Sequence, residues 1–406
     1  MNRRRWLCVA LLGAAFAAAQ TQVPAQNQVE NKPVGFVSGP YLQNPSENSM
    51  TIMWITIRKA TGSVEYSTPA GELKTAFSSH DGLIDSNECI HKVVLTDLSP
   101  GTVYRYRAVS REILNFLPEK VDFGETVDSG FREFRTFDPR KPNFSFLVFN
   151  DMHDRPATFS DMLKVAGDRP YDFVLLNGDT LSDIEGQDQI VSMLNAAVST
   201  FASRIPLIWV RGNHETRGGF ARQFPAYLSS PNGRYFYSFD QGLAHFIVLD
   251  TGEDKADSHP EYSGLVDFAA YRREEAKWLR AEVKTEAFHR AKYRVVFAHM
   301  PFPAGGRRSV QTTQPNAFTG MEDDFQSFGA TLEEAGIDMM ISAHVHSAAI
   351  IDPEPGRHSY PIVRGGGPRD QGRTVIRVNV TDRTIEAVIL RPDGSAFGAC
   401  RVAARR

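Results

Sequence analysis

Cysteine is scarce in this chain, with three in 406 residues. That excludes a small disulfide-dense scaffold and leaves no Cys-x-x-Cys pair for a thiolate metal site or a redox dithiol. Long apolar runs are lacking too. The stretch 6–19 falls short of the ~20 residues a membrane helix needs, and no comparable run follows. An excess of positive charge is also missing, since the net charge is −3 at pH 7. That balance argues against a nucleic-acid backbone as partner. Internal repeats and low-complexity tracts are absent. What remains is ordinary globular material, 42% hydrophobic and 23% charged, and long enough for two domains.

The first 25 residues read as an export signal. Arg3, Arg4 and Arg5 form a positive n-region, 6–19 an apolar core, and Ala17-Ala18-Ala19 a small-residue cleavage site, with a second possible cut after Ala25. Asn2-Arg3-Arg4-Arg5-Trp6-Leu7 also resembles a twin-arginine signal. Its removal would take the net charge to about −6 and leave Cys89 and Cys400. These two either pair, tying the first domain to the C-terminal strand, or stand as separate buried thiols. A periplasmic or secreted location is the expectation.

From 34 to 137 short β-rich runs alternate with turn signals, at 51–56, 63–66, 91–95, 103–108 and 134–137. Several alternate apolar with polar residues, as half-buried antiparallel strands require. The turn Leu98-Ser99-Pro100-Gly101-Thr102-Val103-Tyr104 looks like the tyrosine corner of immunoglobulin-like sandwiches. With Trp54 on an early strand, residues 32–138 resemble a fibronectin type III module, expected to act as a scaffold.

Asp138-Pro139-Arg140-Lys141-Pro142 is a polar boundary, after which the rhythm changes. Apolar strands at 144–149, 173–176, 206–210, 245–249, 294–297 and 338–342 alternate with helical stretches at 157–167, 187–203 and 271–286. That alternation implies β-α-β units around a buried sheet. Residues 374–380 and 384–390 read as a terminal hairpin.

The ends of these strands carry the chemistry. Asn150-Asp151-Met152-His153 follows the first, Asn177-Gly178-Asp179 the second and Gly212-Asn213-His214-Glu215 the third. Ala298-His299 and Ala343-His344-Val345-His346 follow the last two. A lone histidine near a strand end is ordinarily structural or solvated, and His80, His91, His245, His259, His289 and His358 take that reading. Five strands each ending in ligand-type residues do not arise so cheaply. Oxygen and nitrogen donors without thiolate suit Zn, Mn or Fe. Seven donors exceed one tetrahedral ion and match two ions that share a carboxylate.

In these blocks the chain resembles the calcineurin-like metallophosphoesterases, whose signature runs D-x-H, G-D, G-N-H-[DE], H and G-H-x-H. All five blocks occur in order, with Ala343 where the last usually has Gly. The resemblance implies a metallophosphoesterase β-sandwich flanked by helices over 139–406, an α/β (α+β) catalytic domain behind the all-β module. It implies that Asp151, His153 and His346 hold one metal, that Asn213, His299 and His344 hold the other, and that Asp179 bridges them. His214 would be a catalytic histidine that binds no metal, oriented by Glu215. The cofactors would be two divalent or mixed-valence ions of Fe, Mn or Zn. The module in front further resembles the purple acid phosphatases. In that branch the first block lacks its His, and a Tyr after the G-D pair supplies a ligand. Here the block has His153, and Ser182 stands where that Tyr would fall. No Tyr-to-Fe(III) colour is therefore expected.

The expected reaction is phosphomonoester hydrolysis by metal-activated hydroxide, with His214 as general acid. A phosphodiesterase of the same fold is the near alternative, and a non-catalytic cell-surface binding protein the alternative from another class. Specificity is expected from loops at 216–222, 251–264 and 301–318, the last bearing Arg307 and Arg308.

Overall fold

The computed structural model describes residues 35–302 and 319–405. The export-signal reading and the Arg307–Arg308 segment therefore lie outside the described residues. No helix among those described is long and apolar enough to cross a membrane.

The first half of the fold is antiparallel β. Phe36–Gln43 and Ser86–Leu95 flank Met50–Thr61, while Ser63–Ser67, Lys120–Asp128 and Arg132–Arg135 pair with the long strand Val103–Leu117. The two groups meet through a single bridge, Ala60 to Glu112, and enclose Trp54, Ile52, Val64, Val93, Tyr106 and Phe134. Trp54 is wholly buried, and its indole N–H donates to Ser110 Oγ at 2.8 Å, which satisfies the one polar atom it carries inside. The tyrosine corner is present: Ser99 N donates to Tyr104 Oη at 2.9 Å. The last strand lies earlier than expected, because Phe137 leaves the sheet to pack beside Phe173 at 5.9 Å.

The second half holds two six-stranded sheets. One runs Leu207–Val210, Phe173–Asn177, Phe144–Phe149, Val375–Val380, Thr384–Leu390 and Ala396–Ala403. The other runs Tyr237–Gln241, Ala244–Leu249, Tyr293–Ala298, Met339–Ser342, Ile362–Arg364 and Ala349–Ile351. Between them lies an aromatic core in which Phe146 stacks on Phe173 at 4.4 Å and meets Phe246 edge-on at 5.4 Å. Each such ring, fully buried, contributes about 1.5–3 kcal/mol. Helices cover the outer faces. Phe268–Glu282 starts where Asp267 caps Ala270 N, and Glu286–Arg290 where Thr285 caps Phe288 N. The terminal hairpin pairs as expected and gains a third strand, Ala396–Ala403.

Both halves share apolar packing. Tyr41, Met53 and Ile55 join a cluster with Phe201, Trp209 and Phe224. Tyr41 Oη donates to Tyr227 O at 3.0 Å and Tyr106 Oη to Ser203 O at 2.8 Å. Cys89 and Cys400 are both free thiols, the second buried on a paired strand.

Candidate metal centre

Parallel pairing decides where the donors go. Phe144–Phe149, Phe173–Asn177 and Leu207–Val210 pair parallel, so their C-terminal ends share one edge. Tyr293–Ala298 and Met339–Ser342 do the same in the second sheet. The two edges adjoin: Asn177 Nδ2 donates across to Ile341 O at 3.3 Å. The site is thus built from both sheets at once.

The loops leaving these edges are unusual in their backbone. Asp151, His153, Asp154, Asp179, His344 and His346 all have positive φ, between 44° and 70°. Non-glycine residues seldom adopt this region, and strain of this kind gathers where side chains must be aimed. Backbone bonds hold the first two loops together, His153 N to Asp179 O at 2.9 Å and Asp154 N to Thr180 O at 3.0 Å. His344 N donates to the Asp151 carboxylate at 3.1 Å, joining the first loop to the last. Gly178, at φ 81°, is required by close approach: a Cβ there would lie 2.3 Å from His299 Nδ1. Ala343 keeps a negative φ and is buried, so a methyl group is accommodated where the usual motif has glycine.

The side chains form two clusters sharing one residue. Asp151, His153, Asp179 and His346 bring one ligand atom each within 4.8 Å of one another, and so do Asp179, His299 and His344. Asn213 Oδ1 completes the second, 3.1 Å from His299 Nε2 and 3.0 Å from His344 Nδ1. In the first, His153 Nε2 faces His346 Nε2 at 3.0 Å.

Donor chemistry supports a cation at each. His299 Nδ1 donates to Asn177 O at 2.8 Å. In its neutral form the ring aims the Nε2 lone pair at Asp179 Oδ2, 3.2 Å away, and at the Asn213 amide oxygen. Lone pairs converging on oxygens repel unless a proton or a metal lies between them, and a carbonyl holding the outer ring nitrogen is the usual support for a metal-binding histidine. The electrostatics divide the rings, two held neutral and one drawn toward positive charge by its acid. Burial pushes His153 down to about 4. Burial, reinforced by His299, pushes His344 down to about 3. Both rings are thereby kept as neutral donors. Burial would raise Asp179, but His299 outweighs it and holds the carboxylate well below the usual range. His299 is the counterpart: burial disfavours its charge, yet the Asp179 carboxylate lifts it to about 10.

Every sequence-derived ligand is brought to this centre, and the orientation of His214 needs correction. Its Nδ1 donates to Ser182 O at 2.7 Å, while Nε2 lies 4.0 Å from Asp179 Oδ2. Glu215, expected to orient that ring, is turned away from it. Its buried carboxylate accepts from Asp179 N, Thr180 N, Leu181 N and Gly212 N at 2.7–3.0 Å. Four converging amides outcompete one imidazole for a carboxylate. Burial and the Asp179 charge still push Glu215 up to about 7. Ser182 and Asn177 act through backbone carbonyls, which no side-chain pattern reveals. The rim segments at 216–222 and 251–264 are locked to each other, with Arg217 held by Glu253 at 2.7 Å and Asp254 at 3.1 Å. Arg211 points outward from the motif, paired with buried Asp250 at 2.6 Å.

A two-sheet sandwich with an aspartate shared between two donor clusters is the architecture of a metallophosphoesterase. The chain belongs to the calcineurin-like phosphoesterase family, which residues 144–348 match. Residues 39–117 match the purple acid phosphatase N-terminal domain. Among relatives, the chain is 26% identical to acid phosphatase type 7 of Danio rerio over 329 residues, 74% of this chain and 68% of that one. It is 25% identical to probable purple acid phosphatase 20 of Arabidopsis thaliana over 318 residues, 74% of this chain and 65% of that one. A purple acid phosphatase from yellow lupin (Lupinus luteus) seeds shares the fold with a TM-score of 0.66 at 15% identity, covering 90% of this chain and 74% of the other. PhoD does so with a TM-score of 0.60 at 13% identity, covering 92% and 90%.

Proposed function

We propose that the protein hydrolyses phosphomonoesters at a centre of two transition-metal ions, Zn, Mn or Fe, held by Asp151, His153, His346, Asn213, His299 and His344 with Asp179 between them. The observation that carries this is the shared Asp179: its carboxylate lies 3.2 Å from His299 Nε2 and 3.7 Å from His153 Nε2, one from each cluster. Two such ions, when bound, offset the negative oxygens of a phosphoester and acidify a water.

The chain's own part is to place and move protons. Ser182 O holds the proton on His214 Nδ1, so the proton to be donated is the second one of the imidazolium form, carried on Nε2, the atom turned toward Asp179. As water adds to phosphorus and the bond to the alcohol oxygen breaks, that Nε2 proton passes to the departing oxygen, giving a free alcohol and inorganic phosphate. A positioned general acid of this kind contributes about 10²–10⁴-fold. Glu215 serves as the clamp that holds the Asp179 and Gly212 loops together. The absence of thiolate from the donor set supports the choice of metals.

Export is part of the same reading, resting on the sequence of residues 1–25, and so is a division into a scaffold module at 32–138 and a catalytic domain at 139–406. Mass measurement of the mature chain, expected to begin after Ala19 or Ala25, tests the first. Limited proteolysis near 138–142 tests the second. For the reaction itself, the protein loaded with Zn, Mn or Fe is assayed on 4-nitrophenyl phosphate and its bis ester. Faster turnover of the monoester supports the proposal. Preference for the diester makes it a phosphodiesterase, and no bound metal with no turnover makes it a binding protein.

A further inference from the structure

The segment joining Ile362–Arg364 to Val375–Val380 carries groups that hydrolysis itself does not require. It crosses from one sheet to the other beside the edge that bears the donors. Its first residues are fixed against them. Gly365 N donates to Ser342 O at 2.9 Å, and Gly366 N to Thr374 Oγ1 at 2.8 Å. A Cβ at Gly365 would fall 2.0 Å from Asn150 Nδ2, and one at Gly367 would fall 2.5 Å from His346 Cβ. The tip is closed on itself, with Gly372 N and Arg373 N both donating to Arg369 O, at 2.8 and 2.7 Å. The loop is therefore positioned by the Ser342 carbonyl and by close approach to the Asn150 and His346 side chains.

Between it and His346 lies a cavity of about 460 Å³, lined by His346 and residues 367–372. That volume falls within the range of small-molecule sites. The charges around it are unevenly matched. Asp370 is taken by Arg373, which also bonds Asp161. The guanidinium of Arg369, on the cavity wall, is exposed and makes no hydrogen bond or ion pair among the described residues. An arginine in that position presents a planar fork of donors that fits a carboxylate or phosphate, and no acid among the described residues forms an ion pair with it. The rim arginine nearer His214 in sequence, Arg217, is already committed to Glu253 and Asp254.

We propose that the 365–373 loop forms a subsite for the alcohol portion of the substrate, and that Arg369 selects phosphoesters whose alcohol carries a second anionic group, a carboxylate or a phosphate. The proposal rests on the phosphatase reading above and adds the substrate class. The cavity shares His346 with the metal centre, so a group held there is adjacent to the scissile phosphate. The neighbouring Asp370 shares Arg373 with Asp161, which weakens its repulsion of an anion without cancelling it.

Two measurements on the metal-loaded full chain test it. Binding of 3-phosphonopropionate and of propylphosphonate, which differ in a carboxylate, is measured by calorimetry on wild type and on R369A, R369K and R369E. Wild type is expected to favour the carboxylate-bearing ligand. R369A should lose about tenfold of that preference, R369K should retain part of it, and R369E should reverse it. 3-Phosphonooxypropanoate and propyl phosphate, compared as substrates, should show the same ordering in kcat/KM. A binding preference in R369A within twofold of wild type overturns the subsite. Wild type that hydrolyses neither ester overturns the phosphatase reading, while the binding ratio still reports on Arg369.

Discussion

The carboxylate of Glu215 accepts the backbone N–H of Asp179 at 2.9 Å and never meets the ring of its neighbour His214. An acid that reads in sequence as the partner of a catalytic histidine is instead the tie between two loops. Glu215→Gln keeps the volume but turns an amide donor toward some of four N–H groups. We expect a loss of about 2–3 kcal/mol in stability, read by denaturant unfolding. A stability equal to wild type would show that the amides find other acceptors.

His214 has its outer nitrogen fixed by Ser182 O, so removing the ring takes away a proton donor and no metal ligand. His214→Ala should retain its full metal content by elemental analysis. Its kcat on alkyl phosphates should fall by about 10²–10⁴, and by less on 4-nitrophenyl phosphate, whose leaving group needs little protonation. Loss of metal in this variant would make His214 a ligand.

Asp179 is common to both clusters, so its loss should not be confined to one of them. Asp179→Ala is expected to bind neither ion stoichiometrically. A variant that still holds two ions and turns over would end the bridging role.

Away from the centre, buried His245 lies 2.8 Å from Asp240 and 3.3 Å from Glu282. Burial works against its charged form, but the hydrogen bonds to the two acids outweigh this and raise its affinity for the proton. A histidine with a raised folded value stabilises fully below its unfolded value of about 6.5 and loses that contribution as pH rises through the folded value. Glu282 is shifted the other way: burial raises it, but His245 and Ser238 bring it below the usual value, so its share is lost only in acid. The difference in Tm between wild type and His245→Phe should therefore be largest near pH 5.5–6 and shrink toward pH 9. A difference that grows with pH would contradict the assignment.

Colour offers a check on the metal shell. Ser182, where a tyrosine ligand would fall, meets His214 through its carbonyl, and none of the seven proposed donors is a tyrosine. Iron-loaded protein should show no intense visible charge-transfer band. A purple preparation would demand a tyrosinate ligand outside the seven proposed donors.

Much of this was legible in the sequence because strands advertise themselves by unbroken apolar runs, and ligands by type. Asp151, His153, Asp179, Asn213, His299, His344 and His346, the candidate donors, all lie within four residues of the end of a buried apolar strand. The short strands Ala349–Ile351 and Ile362–Arg364 were not, because three residues carry too little periodicity to register.

Which side chains could hold metal is legible before any fold is known, since donor type and strand-end position are written residue by residue. What holds the holders emerges on packing: the Asn177 and Ser182 carbonyls, the four amides on Glu215, and the close approach of Gly365 to Asn150 and of Gly367 to His346. Backbone groups are the same at every residue. Which of them converge depends on how two sheets adjoin at one edge, and that is a property of the packed chain.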